Sequence, residues 1–403
     1  MMTYAFSFLT AFACSLLATF AVRWLARARG LVAKPRADRW HQKPTALFGG
    51  VGIFAAFVAS VLLGKPANVS GDAILLVCTG GMFALGLVDD FVQLKPYAKL
   101  VGQIICATAF TMYGLRLHWL PIPVLDQALT ILWLVGITNA VNLLDNIDGL
   151  AGGVAAIAGA YLVYFCHASG DVGAATLAAG FVGAVAGFLV FNFNPASIFM
   201  GDCGSLFLGF FLGGMALVGP GHGASGSGQN FVVLSVPVLI LLIPIIDTAL
   251  VTVSRHLNQR PISQGGRDHT SHRLVALGLS ERAATLTLWF LAAVSGAIAV
   301  LVRNVSWALG ALVVPAFALV IVLFVVFVGR VRVYQQVDSA AEARGRAILP
   351  TVADFSYKRR VFEVLADLLV ITLAYFGAFM FRWDGELIEP FYRNFTRSLP
   401  LVI

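Results

Sequence analysis

Charge is scarce in this chain. Asp, Glu, Lys and Arg make up only 12% of its 403 residues, and 59% are hydrophobic. Soluble domains carry about a quarter charged residues, so this composition excludes an ordinary soluble globular protein and indicates an integral membrane protein. The five cysteines, Cys14, Cys78, Cys106, Cys166 and Cys203, are an odd, scattered set without metal-site spacing. They read as small apolar residues. No P-loop is present, so nothing suggests ATP hydrolysis. No internal repeat was found, which weakens a transporter reading. No Ser/Pro-rich linker divides residues 1–330, and no charged side chain precedes Arg23. The first apolar segment thus lacks the basic start of a secretory signal and reads as a membrane anchor.

What the chain does have is long apolar runs. A spanning helix needs about 20 mostly apolar residues. Eleven such segments are predicted, near 4–26, 47–64, 73–91, 100–117, 122–143, 147–167, 174–192, 205–219, 231–254, 282–303 and 306–329, with a twelfth near 361–382. The expected fold is an all-α polytopic membrane protein with about 11 transmembrane helices plus a twelfth near the C-terminus. The expected organisation is a membrane domain over 1–330, a charged linker over 331–360 and a further membrane segment in 361–403.

The basic residues are lopsided across these segments. Alternate loops, taken as inside, hold 21 of the 27 Lys and Arg side chains. The positive-inside rule then puts the N-terminus outside and the first loop, from Arg23 to Lys43, inside. The same charge could also attract anionic lipids or phosphates. Nucleic acid is an unlikely partner, because the basic residues sit in short loops between spans.

Five inside loops carry the chemistry-bearing residues. The first has Lys43 beside Pro44 and Thr45, a phosphate grip or a snorkelling lysine. The second has Asp89 and Asp90 at the end of the third span, followed by Lys95 and Lys99, which could neutralise the acids or hold phosphates. The third has Asn142, Asp145 and Asp148, spaced by three so that a helix would present them on one face. The fourth has Asn192, Phe199 and Asp202, the last between Gly201 and Gly204. The fifth has Arg255, Arg260, Arg267, Asp268, His269, His272 and Arg273. Anion contact there is preferred over a zinc site, because no third soft ligand lies near the two histidines. Hard oxygen ligands together with Lys, Arg and His are the equipment of phosphoryl transfer.

In these motifs the chain resembles the polyprenyl-phosphate N-acetylhexosamine-1-phosphate transferases. The matching stretches are Gly86-Leu-Val-Asp-Asp90, Asn139-Ala-Val-Asn-Leu-Leu-Asp-Asn-Ile-Asp-Gly149, Phe191-Asn-Phe-Asn-Pro195, Phe199-Met-Gly-Asp202 and Asp268-His-Thr-Ser-His-Arg273. The resemblance covers residues 1 to about 330. It implies an enzyme of the bacterial inner membrane, N-terminus periplasmic and active site cytoplasmic. Such an enzyme transfers a hexosamine 1-phosphate from a UDP-sugar to undecaprenyl phosphate, releasing UMP, with Mg²⁺ (or Mn²⁺) as cofactor. A homodimer is compatible with the family.

The resemblance also implies roles. Asp202 is the principal metal ligand, with Asp89 and Asp90 beside the metal. Asp89 would deprotonate or orient the lipid phosphate. Asn142, Asp145 and Asp148 serve the nucleotide sugar and metal, and Asn192 and Phe199 the uridine. Lys43, Lys99, His269 and His272 bind diphosphate, and Arg267 lies in the same anion-binding loop. The spacing His269-Thr-Ser-His272 lacks the adjacent His pair common in many members. It leans toward the O-antigen and capsule initiating branch, and away from the alternative, phospho-N-acetylmuramoyl-pentapeptide transferase. Residues 357–385 resemble the first membrane segment of polysaccharide-biosynthesis epimerases/dehydratases. No epimerase activity is expected, because no Rossmann domain follows.

Overall fold

The computed structural model describes residues 2–33, 44–64, 69–117, 119–120, 122–218, 229–259, 266 and 268–331. Lys43, Arg260, Arg267 and the twelfth segment near 361–382 lie outside the described residues. The chain divides into two units, residues 1–304 and 305–403. In the second, the described structure is α13 (Trp307–Gly329) and the turn that follows it.

The first unit is helical apart from one two-residue strand pair. Its helices are α1 (Met2–Ala28), α2 (Gly49–Gly64), α3 (Val69–Val92), α4 (Pro96–Met112), α5 (Pro123–Leu144), α6 (Leu150–Ala168), α7 (Val172–Asn192), α8 (Asp202–Val218), α9 (Gln229–Ile240), α10 (Leu242–Leu257), α11 (Thr270–Ala276) and α12 (Glu281–Asn304). Strand β1 (Val32–Ala33) pairs antiparallel with β2 (Thr45–Ala46), and Ala46 bridges Ile198.

Each of the eleven predicted segments is helical, but not every one is a straight span. By length and composition seven helices can cross a membrane, or eight if the bent pair α9–α10 counts as one. That pair turns by 77°. Pro237 lies inside α9, and Pro244, in the first turn of α10, has no amide to offer the Ile240 carbonyl and crowds it at the break. Helices α2, α4 and α8 have 16, 17 and 17 residues. At about 1.5 Å rise per residue they fall short of a hydrocarbon core about 30 Å thick. Helix α11 was not predicted, since seven residues are too few for a periodic signal.

Helix α8 is the central pillar and is buried along almost its whole length. It packs on α3, α5 and α2, and α7 packs on α1 and α6. Lipid tails supply no hydrophobic drive between helices, so close approach and interhelical hydrogen bonds hold such a bundle. Helix α1 accordingly turns Ser7, Ala11, Ser15 and Thr19 inward, one residue in four. Ser7 meets Gly180 and Ser15 meets Gly187 of α7, Thr19 meets Gly52 of α2, and a Cβ on Gly183 would lie 2.2 Å from the Phe8 carbonyl oxygen. Ser7 and Ser15 donate to the carbonyls of Thr176 and Ala184 at 3.0 and 2.6 Å. An aromatic cluster fills the middle, with Phe181 and Phe211 stacked at 4.4 Å and Phe57 and Phe207 against them.

Candidate active site

The antiparallel order of the helices brings the C-termini of α1, α3, α5, α7 and α10 to the same end as the N-termini of α2, α4, α6, α8 and α12. The predicted motifs gather at that end. Gly86 lets α3 approach the start of α8, since a Cβ there would sit 2.4 Å from the Asp202 carbonyl oxygen. The close approach places Asp90 at the mouth of α8. Its carboxylate accepts the first two helical amides, from Asp202 at 2.8 Å and Cys203 at 3.0 Å. An anion at a helix N-terminus satisfies orphan donors and meets the positive end of the dipole. Gly201 adopts φ +78°, and a Cβ on it would stand 2.7 Å from the Asp90 carboxylate. The glycine is therefore required twice over.

With its backbone so fixed, Asp202 turns its carboxylate to two partners. Lys99 Nζ from α4 donates to Oδ2 at 2.6 Å, and Asn142 Nδ2 from α5 donates to Oδ1 at 2.6 Å. Asn142 also donates to Ser205 Oγ at 2.7 Å. Lys99 reaches Asp89 Oδ2 at 2.9 Å as well, and Asp89 Oδ1 accepts the Leu94 amide at 2.7 Å. One ammonium thus joins two carboxylates from different helices, with side chains 16% (Lys99), 10% (Asp89) and 33% (Asp202) exposed. Charges this sheltered need a partner, because desolvation penalises either sign alone.

The turn between α5 and α6 forms the next wall. Asn192 is buried and braces it, with Oδ1 accepting from the Gly149 amide at 3.1 Å and Nδ2 donating to the Ile198 carbonyl at 3.0 Å. Asp148 accepts the Ala196 amide at 2.8 Å, and Asn194 donates to Glu281 at 2.9 Å. Phe199 is half-buried, and its backbone joins Ala46 and Gly49 at 2.8 Å each. Among the described residues no hydrogen bond or ion pair reaches the Asp145 carboxylate. Burial, then the charges of Asp202, Asp148 and Asp90, push its pKa up to about 7. The residue as a whole keeps some solvent contact.

In the fifth loop Arg255 and residues 268–274 are buried. Arg255 makes two hydrogen bonds to Asp268 at 2.7 Å each, and both side chains are buried. Burial alone would raise the Asp268 pKa, but the hydrogen bonds and charge of Arg255 outweigh it and hold the group below its usual value. Arg273 donates to the Asp268 carbonyl at 2.8 Å. Asp247 of α10 holds His269 Nδ1 at 2.8 Å and the Thr270 amide at 2.7 Å. The rings of His269 and His272 meet edge-on at 6.0 Å. Ser271 donates to Asn146 at 2.6 Å and so ties α11 to the turn carrying Asp145 and Asp148.

Asp89, Lys99, Asn142 and Asp202 are therefore in direct contact, with Asp90 behind them and Asp145 and Asp148 alongside. Asn192 is a brace whose amide is occupied by backbone. Lys43 and Arg267 lie outside the described residues. Asp247 and Gln103 were not singled out from the sequence. Gln103 carried a signal all the same, four residues after Lys99 in an apolar run.

Would these residues suit a divalent cation? Among the described residues no three His, Cys, Asp or Glu side chains form a ready cage. Mg²⁺ does not need one, since it takes one or two carboxylates plus water and substrate phosphate. A cationic group already sits between Asp89 and Asp202, and among the described residues no ion pair reaches the Asp145 carboxylate. The donor set fits a hard cation.

The comparisons agree with this chemistry. A family model described as glycosyl transferase family 4 matches residues 73–220. The chain is 32% identical over 312 residues to the probable undecaprenyl-phosphate N-acetylglucosaminyl 1-phosphate transferase of Bacillus subtilis, covering 74% of this chain and 85% of that one. It is 34% identical over 314 residues to the decaprenyl-phosphate N-acetylglucosaminephosphotransferase of Mycolicibacterium smegmatis, covering 70% and 77%. A phospho-N-acetylmuramoyl-pentapeptide-transferase of Bacillus thuringiensis is 36% identical over a shorter 214 residues, 47% of this chain and 66% of that one.

Proposed function

The chain belongs to glycosyl transferase family 4 as a polyprenyl-phosphate sugar-1-phosphate transferase, and from that premise we propose that it moves N-acetylglucosamine 1-phosphate from UDP-N-acetylglucosamine to undecaprenyl phosphate. The Bacillus subtilis and Mycolicibacterium smegmatis relatives, aligned over 74% and 70% of the chain, carry N-acetylglucosamine in their names, and the one named for the muramoyl-pentapeptide aligns over 47%. An oxygen of the lipid phosphate attacks the phosphorus that bears the sugar. A new P–O–P bond forms, and the bond to the uridylate breaks with its electron pair leaving on UMP. The reaction would occur at the cytoplasmic face and begin a cell-surface polysaccharide.

The observation that carries this reading is the joining of Asp89, Lys99, Asn142 and Asp202 from four helices at one end of the bundle. Two anions must meet for reaction, so positive charge has to be held where they meet. Lys99 supplies it from within the protein. His269, fixed by Asp247, and His272 stand on the neighbouring wall to take the diphosphate. Asp89 is placed to orient the lipid phosphate, and Asp90 keeps α8 and its Asp202 in position. Asp202, Asp89 and Asp90, faced by Asp145, would hold a Mg²⁺ or Mn²⁺ ion. Such an ion would neutralise the diphosphate and the charge growing on the leaving phosphate.

Membranes containing the protein, given undecaprenyl phosphate, Mg²⁺ and labelled UDP-N-acetylglucosamine, should release UMP as label enters lipid. Asp202→Asn should lower the rate at least about a hundredfold, in the range of a lost transition-state charge partner, while the protein stays in the membrane. No turnover with any UDP-hexosamine, or parental turnover by Asp202→Asn, would sink the reading.

A further inference from the structure

Lys99 and Asn142 bracket the Asp202 carboxylate, and each stands one helical turn from an amide side chain. Gln103 follows Lys99 by four residues on α4, and Asn139 precedes Asn142 by three on α5. These spacings put each pair on one helix face. The two amides bond reciprocally. Asn139 Nδ2 donates to Gln103 Oε1 at 2.6 Å, and Gln103 Nε2 donates to Asn139 Oδ1 at 3.2 Å. Asn139 Nδ2 also donates to its own helix at Val135 O, 2.8 Å away. Gln103 is 1% exposed.

Stability does not account for such a pair. Two apolar side chains could fill the space without desolvating any polar group, and replacing both partners of a buried hydrogen bond by apolar groups is often neutral. What the amides add is direction. A closed two-bond amide pair forms at one rotation and one height of α4 against α5, whereas apolar contacts tolerate sliding. A slip of one residue's rise, about 1.5 Å, would part a charged contact made at hydrogen-bond distance.

The geometry points to Gln103 and Asn139 as positioning residues: a reciprocal amide clamp sets α4 against α5 so that Lys99 and Asn142 take the two oxygens of Asp202. The clamp works through Lys99 and Asn142. The kinetic part of its test rests on the transferase reading; the labelling part does not.

Three proteins separate the alternatives: the parent, the double variant Gln103→Leu/Asn139→Leu, and the exchange Gln103→Asn/Asn139→Gln, which keeps one amide on each helix. Reductive methylation of Lys99, scored by peptide mass spectrometry against the exposed Lys95, reports on whether Lys99 is held. The double leucine variant should label Lys99 at least about fivefold faster than the parent, and the exchange should restore protection at least in part. With UDP-N-acetylglucosamine, the leucine variant should lose about tenfold or more in kcat, with KM for both substrates within about threefold and a parental unfolding midpoint. The exchange should recover most of that kcat. Parental protection of Lys99 in the leucine variant would overturn the clamp, as would failure of the exchange to protect better than the leucines. A parent that releases no UMP would fail the function reading alone, and labelling would still decide the clamp.

Discussion

Asp145 and Asp268 show how far the surroundings of one carboxylate can diverge from those of another in the same chain. Asp268 has a guanidinium in two-bond contact; among the described residues Asp145 has three acids around it and no ion pair. For Asp145 the sign of the pH effect follows from linkage. The native protein keeps its proton up to about pH 7, while an unfolded chain releases it near the ordinary value of about 4. Between those values the native state binds more protons, so this group makes stability fall as pH rises, and the fall levels off above about 7. Unfolding midpoints in detergent with EDTA should show that decline in the parent and a flatter profile in Asp145→Asn. A steeper decline in the variant would contradict the assignment. For Asp268, replacing Arg255 by Met leaves a buried carboxylate alone. Such a break costs about 3–5 kcal/mol, and changing both partners to apolar residues should cost less. Denaturant titrations of the two variants would measure the difference.

The helices succeed in bringing their ends together because several of them nearly touch backbone to backbone. Gly183 is a sensitive point. Gly183→Ala should push α1 from α7 and lower stability by about 1–3 kcal/mol, read as an earlier unfolding midpoint. The helices themselves were legible from long apolar runs, and Pro237 and Pro244 flank the point where one of them bends. Short elements and partners were not legible. Two adjacent acids at a helix end signalled a site, yet nothing in their order said that Asp90 would cap the amides of α8 while Asp89 turned to Lys99. Asp247 falls inside the predicted apolar segment 231–254, and only the return of the chain at 268–270 gives it a histidine to hold. The fifth loop read as an anion-contacting loop, because a sequence shows the charge of Arg255 and Arg273 without showing that Asp268 lies opposite them.

At the scale of the whole molecule, the reactive residues share one end and the other end is plain. That far end carries Tyr4 against His167 and Arg303 on Ser169. The positive-inside rule predicts that the reactive end faces the cytoplasm. Exposed tyrosines at the two ends of α4 offer a direct check. Tyr97→Cys should react with an impermeant maleimide only from the cytoplasmic side, and Tyr113→Cys only from the other; the opposite pattern would invert the assignment.

The first helix also feeds into this arrangement. Its Arg23 donates to Ser197 Oγ at 3.2 Å and lies over the ring of Phe191 at 5.0 Å, so it grips the segment that leads to Asp202. The guanidinium is thus a strut of the end where the acids gather. If that helix alone entered the bilayer backwards, its strut would be stranded across the membrane from the serine it serves.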